Sequence, residues 1–147
     1  LEFRRVLFRS DGVVGAGLGF AGGAERLVGP ATDLLSGAMT MSAWVRLDAY
    51  GTAPRLLAKG VGAGGGTGRY ELYVDDATTE AVATLQVGAS VFEVRGGSID
   101  LGAWHQVAAT WDGTTLRLVL DGVELASTAA VGSLGTDLSG PLARSRR

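Results

Sequence analysis

The stretch Trp104–Glu124 limits what this chain can fold into more than any other. It runs Trp-His-Gln-Val-Ala-Ala-Thr-Trp-Asp-Gly-Thr-Thr-Leu-Arg-Leu-Val-Leu-Asp-Gly-Val-Glu. Val107, Ala109 and Trp111 fall on one face of a first strand. Leu116, Leu118 and Leu120 fall on one face of a second, with Thr115, Arg117 and Val119 opposite. Asp112-Gly113 and Asp121-Gly122 break the runs, and Val123 and Leu125 open a third. An Asp-Gly pair supplies the positive φ values that two-residue hairpin turns need. A slip of one residue would turn every leucine to water, so the alternation also sets the register. The spacing predicts three consecutive antiparallel strands.

The rest of the chain repeats this pattern. Val13–Phe20 and Glu25–Val28 read as short extended pieces around Gly22-Gly23, and Ala31–Gly37 as a polar loop. Met39–Leu47 is a strand with Met39, Met41, Ala43, Val45 and Leu47 on one face and Thr40, Ser42, Trp44 and Arg46 on the other. Arg55–Lys59 is a short strand that follows Pro54. Arg69–Asp75 places Tyr70, Leu72 and Val74 inward and Arg69, Glu71, Tyr73 and Asp75 outward. Asp76–Thr79 is a turn. Thr79–Val87 and Val91–Arg95 form a hairpin across Gly88, and Ile99–Gly102 leads into Trp104. Beyond Ala130 the chain loops through glycines to Pro141-Leu142, where one more strand should begin. Short strands at regular spacing, with 24 glycines and no helical period, predict an all-β, antiparallel two-sheet sandwich. The 147 residues suffice for one domain.

Both ends break the pattern. Residues 1–10 carry three arginines and resemble a translated sequencing adapter, so they are set apart from the fold as a non-native tail. Residues 143–147 are set apart likewise, which leaves 11–142 as the domain. Residues 11–143 keep 7 of the 13 basic and 14 of the 15 acidic residues, a net charge of about −7. Such a surface repels a phosphate backbone and anionic lipid, which argues against nucleic acid and membrane partners. No apolar run reaches the roughly 18 residues of a membrane span. The absence of cysteine excludes disulfides and thiolate metal sites. The glycine-rich run 60–68 lacks the Gly-Lys-Ser/Thr and following helix of a phosphate-binding loop, so it reads as a hairpin connection.

Four segments together carry a resemblance. They are Met39-Thr-Met-Ser-Ala-Trp-Val-Arg-Leu-Asp48, Leu56-Leu-Ala-Lys-Gly60, Tyr70-Glu-Leu-Tyr-Val74, and Trp104-His-Gln-Val-Ala-Ala-Thr-Trp-Asp-Gly113 followed by Leu116-Arg-Leu-Val-Leu-Asp-Gly122. Over roughly residues 12–142 the chain resembles the laminin-G-like, concanavalin A-like jelly-roll domains of bacterial proteins. The resemblance implies a non-catalytic module of a larger secreted or cell-surface protein, binding carbohydrate or another protein. Some members hold a structural Ca²⁺. Here Phe20-Ala-Gly-Gly-Ala-Glu25 keeps one acid where the family has several, short of the six to eight oxygens that Ca²⁺ takes. The family's closing strand would lie beyond Leu142. Its lack should leave an unpaired edge and an uncovered apolar patch, and make the chain aggregation-prone.

Glucanases of this fold use paired carboxylates a few residues apart on one strand face. Glu71 and Asp75, and Asp121 and Glu124, read instead as solvated surface acids. His105, the only histidine, reads as a strand residue packed beside Trp104 rather than as part of a Ser-His-Asp triad. Trp104 and Trp111 are expected in the core. The ligand-binding candidates are Trp44 with Arg46, and Tyr73 with Arg69. Each pair sets an aromatic ring beside hydrogen-bonding side chains on an outward strand face, which suits a pyranose. The alternative for Trp44 is a second minicore under a covering loop.

Overall fold

A computed structural model of the chain describes residues 8–20, 37–51, 55–59 and 70–134. The described residues form ten strands and no helix. They are β1 (Phe8–Asp11), β2 (Ala16–Gly19), β3 (Met39–Val45), β4 (Arg55–Lys59), β5 (Tyr70–Val74), β6 (Glu80–Val87), β7 (Ser90–Ser98), β8 (His105–Trp111), β9 (Thr115–Leu120) and β10 (Val123–Ala129). Two four-stranded antiparallel sheets, ordered β10-β9-β8-β3 and β4-β5-β6-β7, make the sandwich. A separate two-stranded ribbon pairs β1 with β2.

The core lies between the sheets and follows the period of two. Met39 and Met41 of β3, Val107, Ala109 and Trp111 of β8, and Leu116 and Leu118 of β9 face Tyr70, Leu72 and Val74 of β5 and Ala81, Ala83 and Leu85 of β6. All are buried. Ala43, Val45 and Leu120 are half-buried at the margins.

Several local expectations change. β1 takes in Phe8–Ser10, which the sequence analysis sets apart, because backbone pairing to residues 17–19 asks nothing of side-chain origin. The first hairpin corner is Gly113-Thr114 rather than Asp112-Gly113. Asp112 stands one place earlier, where its carboxylate accepts the amides of Thr114 (2.9 Å) and Thr115 (2.8 Å), an Asx turn. Asp121-Gly122 is the turn expected, with positive φ at both residues (51° and 83°). β7 runs three residues beyond Arg95 through Gly96-Gly97. A Cβ at Gly97 would stand 2.6 Å from Leu125 and 2.7 Å from Leu120, and its φ is +64°, so glycine lets the strand pass under those leucines. Val123 and Leu125 lie exposed on edge strand β10, beside a bulge. The expected strand at Glu25–Val28, most of the loop 31–37, the glycine run 60–68 and the Pro141-Leu142 strand lie outside the described residues.

The segment 99–104 crosses the end of the sandwich and carries Trp104. Several contacts fix it. Leu47 and Leu101 form a parallel bridge, the Gly102 amide donates to the Leu47 carbonyl (2.8 Å), and the Tyr50 hydroxyl donates to the Ile99 carbonyl (2.7 Å).

Candidate functional site

The two outer sheet faces differ. On β4-β5-β6-β7 the middle of the outward face is covered, with Ala58 1% exposed, Glu71 4% and Val82 0%, while Val91, Glu93 and Arg95 of β7 stay exposed. Glu71 is therefore not the solvated acid expected; its carboxylate is buried against Arg55 Nε at 3.2 Å. Tyr73, beside it, is half-buried. Burial and then the Glu93 carboxylate push the Tyr73 phenol above its ordinary range, so it stays protonated. Arg95 on the same face is ringed by Glu93, Asp75 and Glu80. Arg69 lies outside the described residues. Tyr73 and Trp44 stand on opposite outer faces of the sandwich, so the structure does not bring the two rings together.

On β10-β9-β8-β3 the outer face is open. Thr40, Ser42 and Trp44 of β3 are exposed, Trp44 at 51%, so no described segment covers the ring. The β3–β8 register pairs Trp44 with Gln106, Ser42 with Ala108 and Thr40 with Thr110. Continued one step, it sets Arg46 opposite Trp104. The contact is made: the Arg46 guanidinium lies 5.7 Å from the Trp104 ring centroid, a cation–π pair. Trp104 is half-buried rather than core, because its position has the outward parity of Gln106. Trp44, Gln106, Trp104 and Arg46 thus form a two-by-two block at one end of the sheet. Sequence reasoning finds Trp44 and Arg46 but not Trp104 and Gln106. The missing signal is the register between strands sixty residues apart, which neither strand alone encodes.

His105 and Asp121 close the rim beside this block. His105 Nδ1 donates to Asp121 Oδ2 (2.8 Å), and its Nε2 accepts the Asp100 amide (3.2 Å). Asp121 Oδ1 also accepts the Gln106 amide (2.7 Å). Both ring nitrogens are thus engaged within the chain, Nδ1 by a carboxylate and Nε2 by a backbone N–H. The ring's work is to tie segment 99–104 to the β9–β10 turn.

Those bonds make acid stability depend on two turns. The His105 hydrogen bond, then the Gln106 amide, hold the Asp121 carboxyl below its usual range. Arg117, then Thr114 and Thr115, do the same for Asp112. A carboxyl whose folded pKa is depressed adds stability above its unfolded value, near 3.9, and loses it as pH falls toward the folded value. The thermal midpoint by circular dichroism should therefore hold level from pH 7 to about 5 and fall steadily below about 4. The double variant Asp112→Asn/Asp121→Asn should melt lower than the parent at pH 7 and show a shallower acid fall. An unchanged acid slope in the variant would refute this.

Phe20–Glu25, where the family resemblance allows a Ca²⁺, lies outside the described residues but for Phe20. Among the described residues no three His, Cys, Asp or Glu side chains converge to hold a metal. No helix among them is long and apolar enough to cross a membrane.

Comparison with known proteins bears on the fold. The family model Laminin_G_3, concanavalin A-like lectin/glucanases superfamily, matches residues 21–146. Domain 4 of AbnA, a GH43 extracellular arabinanase from Geobacillus stearothermophilus solved in complex with arabinotriose, superposes with TM-score 0.71 at 15% identity. That match takes in 96% of this chain and 66% of that one. Domains LG4-5 of the mouse laminin alpha1 chain give 0.63 at 17%, over 81% of this chain and 31% of theirs. The CBM40 of Ruminococcus gnavus IT-sialidase, bound to α2,3-sialyllactose, gives 0.58 at 17%, over 71% and 61%. At these identities the likeness is one of fold, and the chain spans less than two thirds of each of these structures. No curated protein matches the sequence.

Proposed function

This chain belongs to the Laminin_G_3 family of the concanavalin A-like lectin/glucanases superfamily, and from that premise we propose that it is a non-catalytic recognition module binding carbohydrate on its open sheet face. The observation that carries the reading is the exposed Trp44 ring, flanked by Gln106 and by the Arg46–Trp104 stack. A pyranose offers a C–H face to an aromatic ring while its hydroxyls take polar partners around the edge. β3 and β8 hold the ring on a rigid sheet, so little ordering is left for binding to offset. Two solved relatives of this fold carry oligosaccharides, arabinotriose and sialyllactose, which makes a sugar the first ligand to try. A role outside the cell or at its surface accords with the extracellular arabinanase domain and the laminin domains.

The chemistry at the rim supports binding over catalysis. A glycosidase acid needs a carboxyl whose pKa is raised, whereas Asp112 and Asp121 are lowered by the hydrogen bonds that hold them.

On a glycan array, the parent protein should retain at least one oligosaccharide. Trp44→Ala should weaken that binding about tenfold or more while leaving the thermal midpoint within a degree or two, because the ring is half in solvent. Binding that survives Trp44→Ala would move the site elsewhere. No glycan retained, with self-association or capture of a protein instead, would replace this reading with an adhesion module. The exposed Val123 and Val131 would then be the contact residues to test.

A further inference from the structure

We infer that this face, if it binds sugar as proposed above, selects neutral saccharides against acidic ones. Among the described residues two cations reach the face, Arg46 and Arg117, and each stands beside a carboxylate. Arg46 Nε lies 3.7 Å from Asp48 Oδ1 and its guanidinium is stacked on Trp104. Arg117 Nη1 lies 2.7 Å from Asp112 Oδ2 and its Nε 3.9 Å from Glu124 Oε2. Asp121 adds a fourth carboxylate at the rim, and both nitrogens of His105 are engaged. Four carboxylates therefore surround two cations. A uronate, sialate or sulfate would have to displace Asp112 from Arg117, or at Arg46 share the guanidinium with the Asp48 carboxylate beside it. Recognition of such a group calls for an unengaged guanidinium presenting its paired N–H donors. Like charges brought together disfavour the wrong ligand more than contacts favour the right one.

What the face does offer suits hydroxyl groups. The side chains of Thr40, Ser42, Thr110 and Gln106 make no hydrogen bond within the described residues, and each can both donate and accept. Ser42 and Ala108, side by side in the register, keep the floor low between Trp44 and Arg117. From Trp44 to Thr40 the strand advances about 13 Å, room for a short oligosaccharide lying along β3.

The test uses matched glycans on an array: neutral cores, lactose among them, beside the same cores bearing sialate, uronate or sulfate. The full chain should bind neutral cores at least about tenfold more tightly than their acidic forms. That preference should shrink in 1 M NaCl and in the Asp48→Asn/Glu124→Gln variant. An acidic glycan bound as tightly as its neutral core or more so, with binding lost in Trp44→Ala, overturns the inference and leaves the carbohydrate reading standing. Failure to bind any glycan overturns both.

Discussion

Replacing Trp111 by alanine should cost about 3–5 kcal/mol, a large share of the roughly 5–15 kcal/mol by which a domain is stable. Trp111 is 1% exposed, on the inner face of β8 between Met39 of β3 and Leu116 of β9. Its removal would open a cavity that three strands of one sheet and the facing sheet cannot close together. A second loss comes with the first. The indole N–H donates to the buried Ala130 carbonyl at 2.7 Å, and Ala130 N donates in turn to the Thr114 carbonyl at 2.7 Å. Those bonds anchor the chain after β10 to the β8–β9 corner. Trp111→Phe keeps most of the ring but leaves the carbonyl without its donor, so it should cost about 1–3 kcal/mol. Urea unfolding at pH 7 separates the cases: a large drop in midpoint for alanine, a smaller one for phenylalanine. A Trp111→Ala protein within 1 kcal/mol of the parent would show that the core does not depend on this residue.

What could be read beforehand follows from what each signal encodes. Alternation gives the face of a strand. It therefore places Leu116, Leu118, Val107 and Trp111 in the core, and Thr40, Ser42 and Trp44 on an outward face. The Asp-Gly at 121–122 encodes a turn in two residues and was legible. The Asp-Gly at 112–113 misled, because the Asp112 side chain made a better bond one place before the corner than its backbone made within it. Trp104 was misplaced for another reason. A large aromatic is buried more often than not, and only pairing with a strand far away in sequence shows that this one lies on the outer face beneath Arg46. The functional block is made of such distant pairs, so half of it was visible and half was not.

Glu71 marks where alternation stops being enough. Parity puts it outward beside Tyr73, and an outward carboxylate is expected to be wet. Yet β5 is an inner strand of its sheet, flanked by β4 and β6, and its outward neighbours Ala58 and Val82 are buried too. Period two reports a side, not a depth. Glu71→Gln should accordingly cost about 2–4 kcal/mol, because it strips the negative charge from a buried pair and leaves the Arg55 guanidinium opposite a neutral amide. The figure stays below the full cost of a severed buried pair, since the Arg55 side chain keeps 23% of its surface in water. Asp48→Asn supplies the contrast. It breaks a pair at 3.7 Å whose carboxylate is 84% exposed, and should change stability by no more than about 0.5 kcal/mol. Urea midpoints of the two variants, measured side by side at low and high salt, decide the matter. A Glu71→Gln midpoint as close to the parent as that of Asp48→Asn would mean that water reaches the outer face of β5 after all.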